Sequence, residues 1–167
     1  ELSEIVLRFR AAEEAGAVAL GVDLDGAGLV TMRLQGQPVG PKTLAQLKTI
    51  RAQTQLPFIV KGIMTVDEAK MCCEAGADCI VISNHGGRVL DGCPGGADVL
   101  PEIADAVGGR VKILVDGGIR SGTDIFRALA LGADAVMICR PFLISYYGGG
   151  TEGIVAYVEK LRAELTD

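Results

Sequence analysis

The chain alternates between short, unbroken apolar runs and longer stretches in which apolar residues return every three or four positions. The apolar runs fall at about 17–23, 57–61, 78–82, 111–115 and 134–138. They are continuous, as in Cys79-Ile80-Val81-Ile82. Strands read that way when both faces are covered, as in a parallel sheet flanked by helices. Residues 42–54 and 97–107 carry helical periodicity, a last helix is expected at about 151–165, and the N-terminus opens on a charged amphipathic helix pattern. One phrase punctuates the alternation: E-A-G-A-V-A-L at 14–20, E-A-G-A-D-C-I at 74–80 and A-L-G-A-D-A-V at 130–136. Each closes a helical pattern, passes a glycine and enters an apolar run, which is the order helix, glycine C-cap, buried strand. The Gly-rich, polar stretch 24–41 carries no clear element of its own.

Two architectures suit this alternation, an open doubly wound sheet and a (β/α)8 barrel. The polar residues decide between them. Asp23, Lys61, Ser83-Asn84-His85, Asp116 and Arg140 each stand at or just past the C-terminal end of an apolar run, one contribution per unit in chain order. A doubly wound sheet concentrates its site at one switch point. A barrel collects a contribution from each strand top. The expected fold is therefore α/β, of the (β/α)8 barrel type, with five βα units in view.

Composition narrows the function. At 167 residues, 49% of them hydrophobic, the chain suits one domain with a real core. No apolar stretch is long enough for a membrane span, and no signal-peptide pattern opens the chain. The net charge of −5, the lack of any basic run and the absence of Trp argue against nucleic-acid or membrane-surface partners. The five cysteines form no C-x-x-C, and a single histidine cannot build a zinc-finger pattern, so no metal site is expected. Unpaired thiols suit a reducing compartment, with the cytoplasm as the expected location.

Three motifs carry candidate chemistry. In V-D-G-G-I-R-S-G-T-D (115–124), a strand ends at Asp116, Gly117 and Gly118 turn the chain, and a helix begins near Ser121. Glycine amides, a helix start and Arg120, with Arg140 after the next strand, suit a phosphate; the bland alternative is a tight turn with solvated arginines. Lys61 ends an otherwise apolar run, where it suits an anionic group or a Schiff base rather than a snorkelling role. His85, the one histidine, lies in I-S-N-H-G-G-R at a strand-to-loop boundary, three residues before Arg88. Imidazole suits proton transfer and arginine suits a carboxylate, with Asp23 available to orient the ring. A purely structural histidine is the alternative.

The segments L-P-F-I-V-K-G, V-I-S-N-H-G-G-R, L-V-D-G-G-I-R-S-G-T-D and A-L-G-A-D-A-V-M-I-C-R-P, in this order and spacing, resemble the FMN-dependent α-hydroxy-acid dehydrogenase and oxidase family, over about residues 10–142. That group includes glycolate oxidase, lactate oxidase and flavocytochrome-type lactate dehydrogenases. The resemblance implies a (β/α)8 barrel of which residues 1–167 form the C-terminal portion, the last five of eight βα units. It implies FMN as cofactor and oxidation of a small-molecule 2-hydroxy acid to a 2-keto acid. His85 would be the base and Asp23 its partner, with Arg88 on the substrate carboxylate. Lys61 would lie beside the flavin N1 and O2 edge, and Ser83 would contact the flavin. Asp116, Gly117, Gly118, Ile119 and Arg120, with Cys139 and Arg140, would form the phosphate site. Family members often form tetramers, so a homo-oligomer is implied. Two residues depart from the pattern: Cys139 stands where the family has glycine, and G-V-D-L-D replaces the frequent T-V-D-T-P, so Gly21 has no hydroxyl for the flavin. The alternatives are a non-catalytic FMN- or phosphate-binding barrel fragment and a related FMN barrel such as type 2 isopentenyl-diphosphate isomerase. The S-N-H-G-G-R motif argues against the latter.

Overall fold

Each helix that ends on a glycine hands the chain to a strand. The computed structural model describes residues 2–37 and 39–166. Its strands are β1 (Leu20–Asp23), β2 (Phe58–Ile63), β3 (Cys79–Ile82), β4 (Lys112–Asp116) and β5 (Ala135–Met137). Its helices are α1 (Leu2–Glu14), α2 (Val30–Leu34), α3 (Leu44–Arg51), α4 (Val66–Ala75), α5 (Gly96–Val107), α6 (Gly122–Ala130) and α7 (Arg140–Thr166). All five expected strands form. The stretch 24–41, in which the sequence shows no clear element, holds a 3₁₀ turn at Asp25–Gly28 and α2. The last helix, expected from about 151, begins at Arg140 and is interrupted at Gly149–Gly150, where Gly150 has φ +58°.

The sheet runs β1-β2-β3-β4-β5 with every neighbouring pair parallel. A doubly wound sheet would reverse its order at a switch point. Unbroken chain order with helical crossovers is the arc of a barrel, here five strands of it. The register sorts the side chains into two faces. Val22, Val60, Ile80 and Ile113 form one row, buried against the helices apart from the half-buried Val22. Asp23, Lys61, Val81, Leu114 and Ala135 form the next row on the other face, so the polar strand ends gather on the inner side of the arc.

The core is continuous under α3, α4 and α5, with Leu47, Ile50, Phe58, Leu100 and Ile103 fully or almost fully buried. Phe9 of α1 meets Phe58 edge-on, ring centres 6.4 Å apart. Helix starts are capped as their sequences dictate. Thr43 with Gln46, Thr65 with Glu68 and Ser121 with Asp124 each form a reciprocal capping box.

The repeated phrase has a structural reason. Asp78 accepts a hydrogen bond from Phe58 N–H on β2 at 2.8 Å, and Asp134 accepts one from Ile113 N–H on β4 at 2.8 Å. Each aspartate thus ties its own strand to the start of the preceding one. In the first copy the same position is Val18, which is 83% exposed beside β1, the edge strand of the described sheet. The Lys112 side chain, at 2.7 Å, and the Ile113 amide hold Asp134 below the usual carboxylate range. A depressed folded-state pKa adds stability above the unfolded value and loses it as pH falls through the folded one. Asp134→Asn is therefore expected to lower the thermal midpoint at neutral pH, with the gap to wild type closing below pH 3.8. Thermal unfolding across pH 2–7 measures it; a gap that stays constant would contradict the charge argument.

Candidate active site

β3 delivers the chain to its top at Ile82, and the next residues turn sharply. Ser83 is fully buried, and its hydroxyl accepts the His85 backbone N–H at 3.1 Å. Asn84 caps the turn by accepting Gly87 N–H at 3.1 Å and donating to the Pro94 carbonyl at 3.0 Å. Held this way, His85 takes φ +57°, the one positive φ among the described non-glycine residues. Left-handed backbone costs an L-residue roughly 1–2 kcal/mol. Such strain persists where the surroundings over-determine it, commonly at functional positions. Gly86 follows at φ +68°, and a Cβ there would lie 2.7 Å from an Arg140 Nη atom. The left-handed backbone favours glycine there, and its bare Cα leaves room for the Arg140 guanidinium.

The His85 ring stands among charges from two other strand tops. Its Nδ1 lies 3.0 and 3.2 Å from the two Asp25 carboxylate oxygens, 3.3 Å from Lys61 Nζ and 3.7 Å from Asp23. Lys61 donates to Asp23 at 3.1 Å. Asp25, which sequence reasoning missed, is thus nearer to the ring than the expected Asp23. Glycine explains how it gets there. Gly62 has φ +91° where the β2–β3 register shifts, and a Cβ on it would lie 2.7 Å from Asp25 Cγ. Burial and then the neighbouring Asp23 carboxyl push Asp25 up to about 6. Burial also raises Asp23, but its hydrogen bond with Asp25 and the Lys61 charge outweigh that and hold it below its ordinary value. Of the two carboxyls, Asp25 is the one that takes up a proton first as the pH falls. Asp23, Asp25 and His85 place ligand-type atoms within 4.8 Å of one another, but the cation in their midst is already the Lys61 ammonium.

Beside this group opens a cavity of about 370 Å³. Lys61, His85, Arg88, Asp116, Gly117, Gly118, Ile119, Arg120, Cys139 and Arg140 all line it, so ten expected site residues converge on one space. Asp23 and Ser83 are not among its lining; they act on Lys61 and on the His85 backbone. A second hollow of about 410 Å³, lined by Glu13, Gln53, Thr54 and Leu56 among others, lies at the opposite ends of the strands and contains no cation.

The Arg120 end of the cavity differs in detail from expectation. The amides of Arg120, Ser121 and Gly122, which lead into α6, are already taken. Asp124 accepts Arg120 N–H and Ser121 N–H at 3.0 and 3.1 Å, and Glu164 of α7 accepts Gly122 N–H at 2.8 Å. What faces the cavity is the loop before the helix, Gly117 and Gly118 at φ +85° and +78°, with open space where their Cβ atoms would stand. Successive left-handed glycines turn amides into a shallow anion cradle. Arg120 and Arg140 flank it, and the Arg120 carbonyl is tied to Tyr157 of α7 by a 3.1 Å bond from the tyrosine hydroxyl. Four cations (Lys61, Arg88, Arg120 and Arg140) against one carboxylate, Asp116, line a single cavity. That donor set fits a ligand with a phosphate at one end, such as FMN, and a second carboxylate-bearing molecule near His85 and Arg88.

Known proteins resemble this chain in sequence and in fold. An L-lactate oxidase of Lactobacillus jensenii is 44% identical over 147 residues, covering 86% of this chain and 35% of that protein. A 4-hydroxymandelate oxidase of Amycolatopsis orientalis is 46% identical over 127 residues, covering 76% of this chain and 36% of that protein. Among solved structures, mandelate oxidase with (S)-2-phenylpropionate superposes with a TM-score of 0.89 at 36% identity, over 99% of this chain and 54% of that one. A mandelate oxidase mutant carrying a C4a-OH-FMN adduct superposes with a TM-score of 0.88, over the same shares. The chain spans about a third of the length of the curated relatives it matches and about half of these structures. The family model described as FMN-dependent dehydrogenase matches residues 29–167. With that match, a barrel arc in unbroken strand order and a cation-lined cavity under one strained histidine, the chain belongs to the FMN-dependent dehydrogenase family.

Proposed function

We propose that these residues form the C-terminal part of the active site of an FMN-dependent enzyme that oxidises a 2-hydroxy acid to a 2-keto acid. The observation that carries this reading is the convergence of His85, Arg88 and the Gly117–Arg120 loop on one cavity. His85 turns Nδ1 to Asp25, and Nε2 has no hydrogen-bond partner among the described residues, so Nε2 is the nitrogen left to take a proton from the substrate's C2 carbon–hydroxyl unit. Arg88 holds the substrate carboxylate, and its planar fork sets the orientation. Arg120, Arg140 and the glycine loop hold the FMN phosphate and Lys61 serves the flavin side, while the buried Ser83, expected to touch the flavin, instead holds the His85 backbone. When bound, FMN accepts the two electrons that the alcohol carbon gives up. Support for the substrate class comes from the relatives, named oxidases of lactate and 4-hydroxymandelate.

No helix of the described residues is long and apolar enough to cross a membrane. The five cysteines are unpaired, which suits a reducing compartment such as the cytoplasm, although one relative in Arabidopsis thaliana is named peroxisomal. Residues 1–167 constitute the C-terminal portion of the barrel domain on this reading, and a homo-oligomer is the assembly that goes with it.

The test is anaerobic addition of L-lactate or glycolate to the flavin-loaded enzyme that contains these residues. Loss of the oxidised-flavin absorbance is expected; flavin that no 2-hydroxy acid reduces would overturn the reading. Arg120→Ala is expected to weaken FMN binding by about 1–3 kcal/mol, the worth of a hydrogen bond to a charged group. Flavin fluorescence titration measures this, and unchanged affinity would remove Arg120 from the phosphate site.

A further inference from the structure

Two neighbours of the His85 ring make opposite demands on the same nitrogen of a neutral imidazole. Lys61 Nζ lies 3.3 Å from Nδ1, and an ammonium only donates. A bond from Lys61 would require Nδ1 to accept, which places the ring proton on Nε2 and leaves no lone pair for substrate. Asp25 pulls the other way. Its ionised carboxylate only accepts, at 3.0 and 3.2 Å, so it requires Nδ1–H and leaves Nε2 free. Asp23 does not decide the contest, because it lies 3.7 Å from Nδ1 and is engaged by Lys61 at 3.1 Å.

We propose that Asp25 is the positioning residue that selects the Nδ1–H tautomer of His85 against Lys61 and supplies the counter-charge when the ring is protonated, while Asp23 serves chiefly to hold Lys61. This rests on the reading of His85 as the base. The placement of Asp25 is built into the fold. Gly62 leaves room for its carboxylate, and Leu24 N–H donates to the Lys61 carbonyl at 2.9 Å, which pins the turn to the top of β2. The charged groups facing Asp25 are Asp23 from β1, Lys61 from β2 and His85 from the turn after β3. Burial and Asp23 push the Asp25 carboxyl up to about 6, so its ionisation, and with it the demand for Nδ1–H, is completed above that pH. Flavin reduction is expected to rise with pH through this region.

The experiment compares Asp25→Asn, Asp25→Ala, Asp23→Asn and His85→Asn in the flavin-loaded enzyme. Flavin reduction by L-lactate is followed against pH, and the histidine ring nitrogens are observed by NMR, with the His85 signals identified by their loss in His85→Asn. In a Ser-His-Asp triad, an amide in place of the aspartate selects the wrong tautomer and costs about 10⁴-fold. With Asp23 still nearby, Asp25→Asn is expected to slow reduction by about 10²-fold or more at unchanged flavin affinity. Its ring proton should move to Nε2, and the rise near pH 6 should disappear. Asp25→Ala should show the same tautomer change, which keeps the question answerable if the asparagine variant does not fold. Asp23→Asn should keep the wild-type tautomer. Wild-type tautomer and pH profile in both Asp25 variants would overturn the proposal, as would a tautomer change confined to Asp23→Asn. If His85→Asn itself reduces flavin at the wild-type rate, the reading of His85 as base fails separately, and the NMR result alone then judges Asp25.

Discussion

Replacing His85 with asparagine is expected to slow flavin reduction by a 2-hydroxy acid by about 10²–10⁴-fold, the usual worth of general acid–base catalysis, while flavin stays bound. Asparagine suits the position for a structural reason. His85 has φ +57°, and asparagine tolerates left-handed backbone better than other side chains of its size. The backbone N–H can still donate to Ser83, so the turn should survive. No flavin-phosphate contact is touched, since Arg120, Arg140 and the Gly117–Gly118 loop lie on the other elements lining the cavity. Stopped-flow reduction and flavin content, measured on the same preparation, separate loss of chemistry from loss of cofactor. Wild-type reduction rates would return His85 to a structural role in a glycine-rich turn.

Lys61→Met should produce the second large effect. The Lys61 ammonium lies 3.1 Å from Asp23 and 3.3 Å from His85 Nδ1, and its side chain is 21% exposed, so it is the fixed cation of a cluster otherwise containing two carboxyls. Methionine keeps most of the stem and removes the charge. The carboxyl pair then loses its counter-ion, and on the proposed reading electron-rich flavin loses the positive charge beside it. Removing one preorganised electrostatic group commonly costs about 10²–10³-fold in rate. The flavin midpoint potential is expected to fall by roughly 30–60 mV, since about 30 mV corresponds to 1.4 kcal/mol for a two-electron couple. Anaerobic redox titration together with stopped-flow reduction measures both. An unchanged potential would confine Lys61 to its bond with Asp23.

The two effects differ in what they leave intact. His85→Asn should spare the potential because it removes a proton acceptor and no fixed charge. Lys61→Met should disturb both potential and proton transfer because one ammonium touches both. A result in which the two variants are indistinguishable would contradict the separate roles assigned to them.

Much of this was legible in the chain itself, for local reasons. A strand buried on both faces is apolar along its length, so the runs ending at Asp23, Lys61, Ile82, Val115 and Ile138 announced five parallel strands. Capping boxes such as Thr65 with Glu68 satisfy amides within one turn, so helix starts were written in three or four residues. Polar residues at successive strand ends placed the site on one rim. The first half of α7 was hidden because Gly148-Gly149-Gly150 reads as a loop, and only the broken helix shows Arg140 at its start. Other decisions belong to contacts between distant segments. Glu164 satisfies Gly122 N–H from 42 residues away, which with Asp124 occupies amides at the helix start and leaves the glycine loop as the proposed anion cradle. Asp25 reaches His85 across 60 residues because Gly62 has no side chain to obstruct it. The positive φ of His85 follows from bonds made by Ser83 and Asn84 on either side of the turn's start. Sequence could nominate the carboxylates, since Asp23 and Asp25 stand two apart in G-V-D-L-D. Which of them meets the imidazole depends on how β1 leaves the sheet over Gly62, and that is set by packing between strands rather than by either residue's neighbours in the chain.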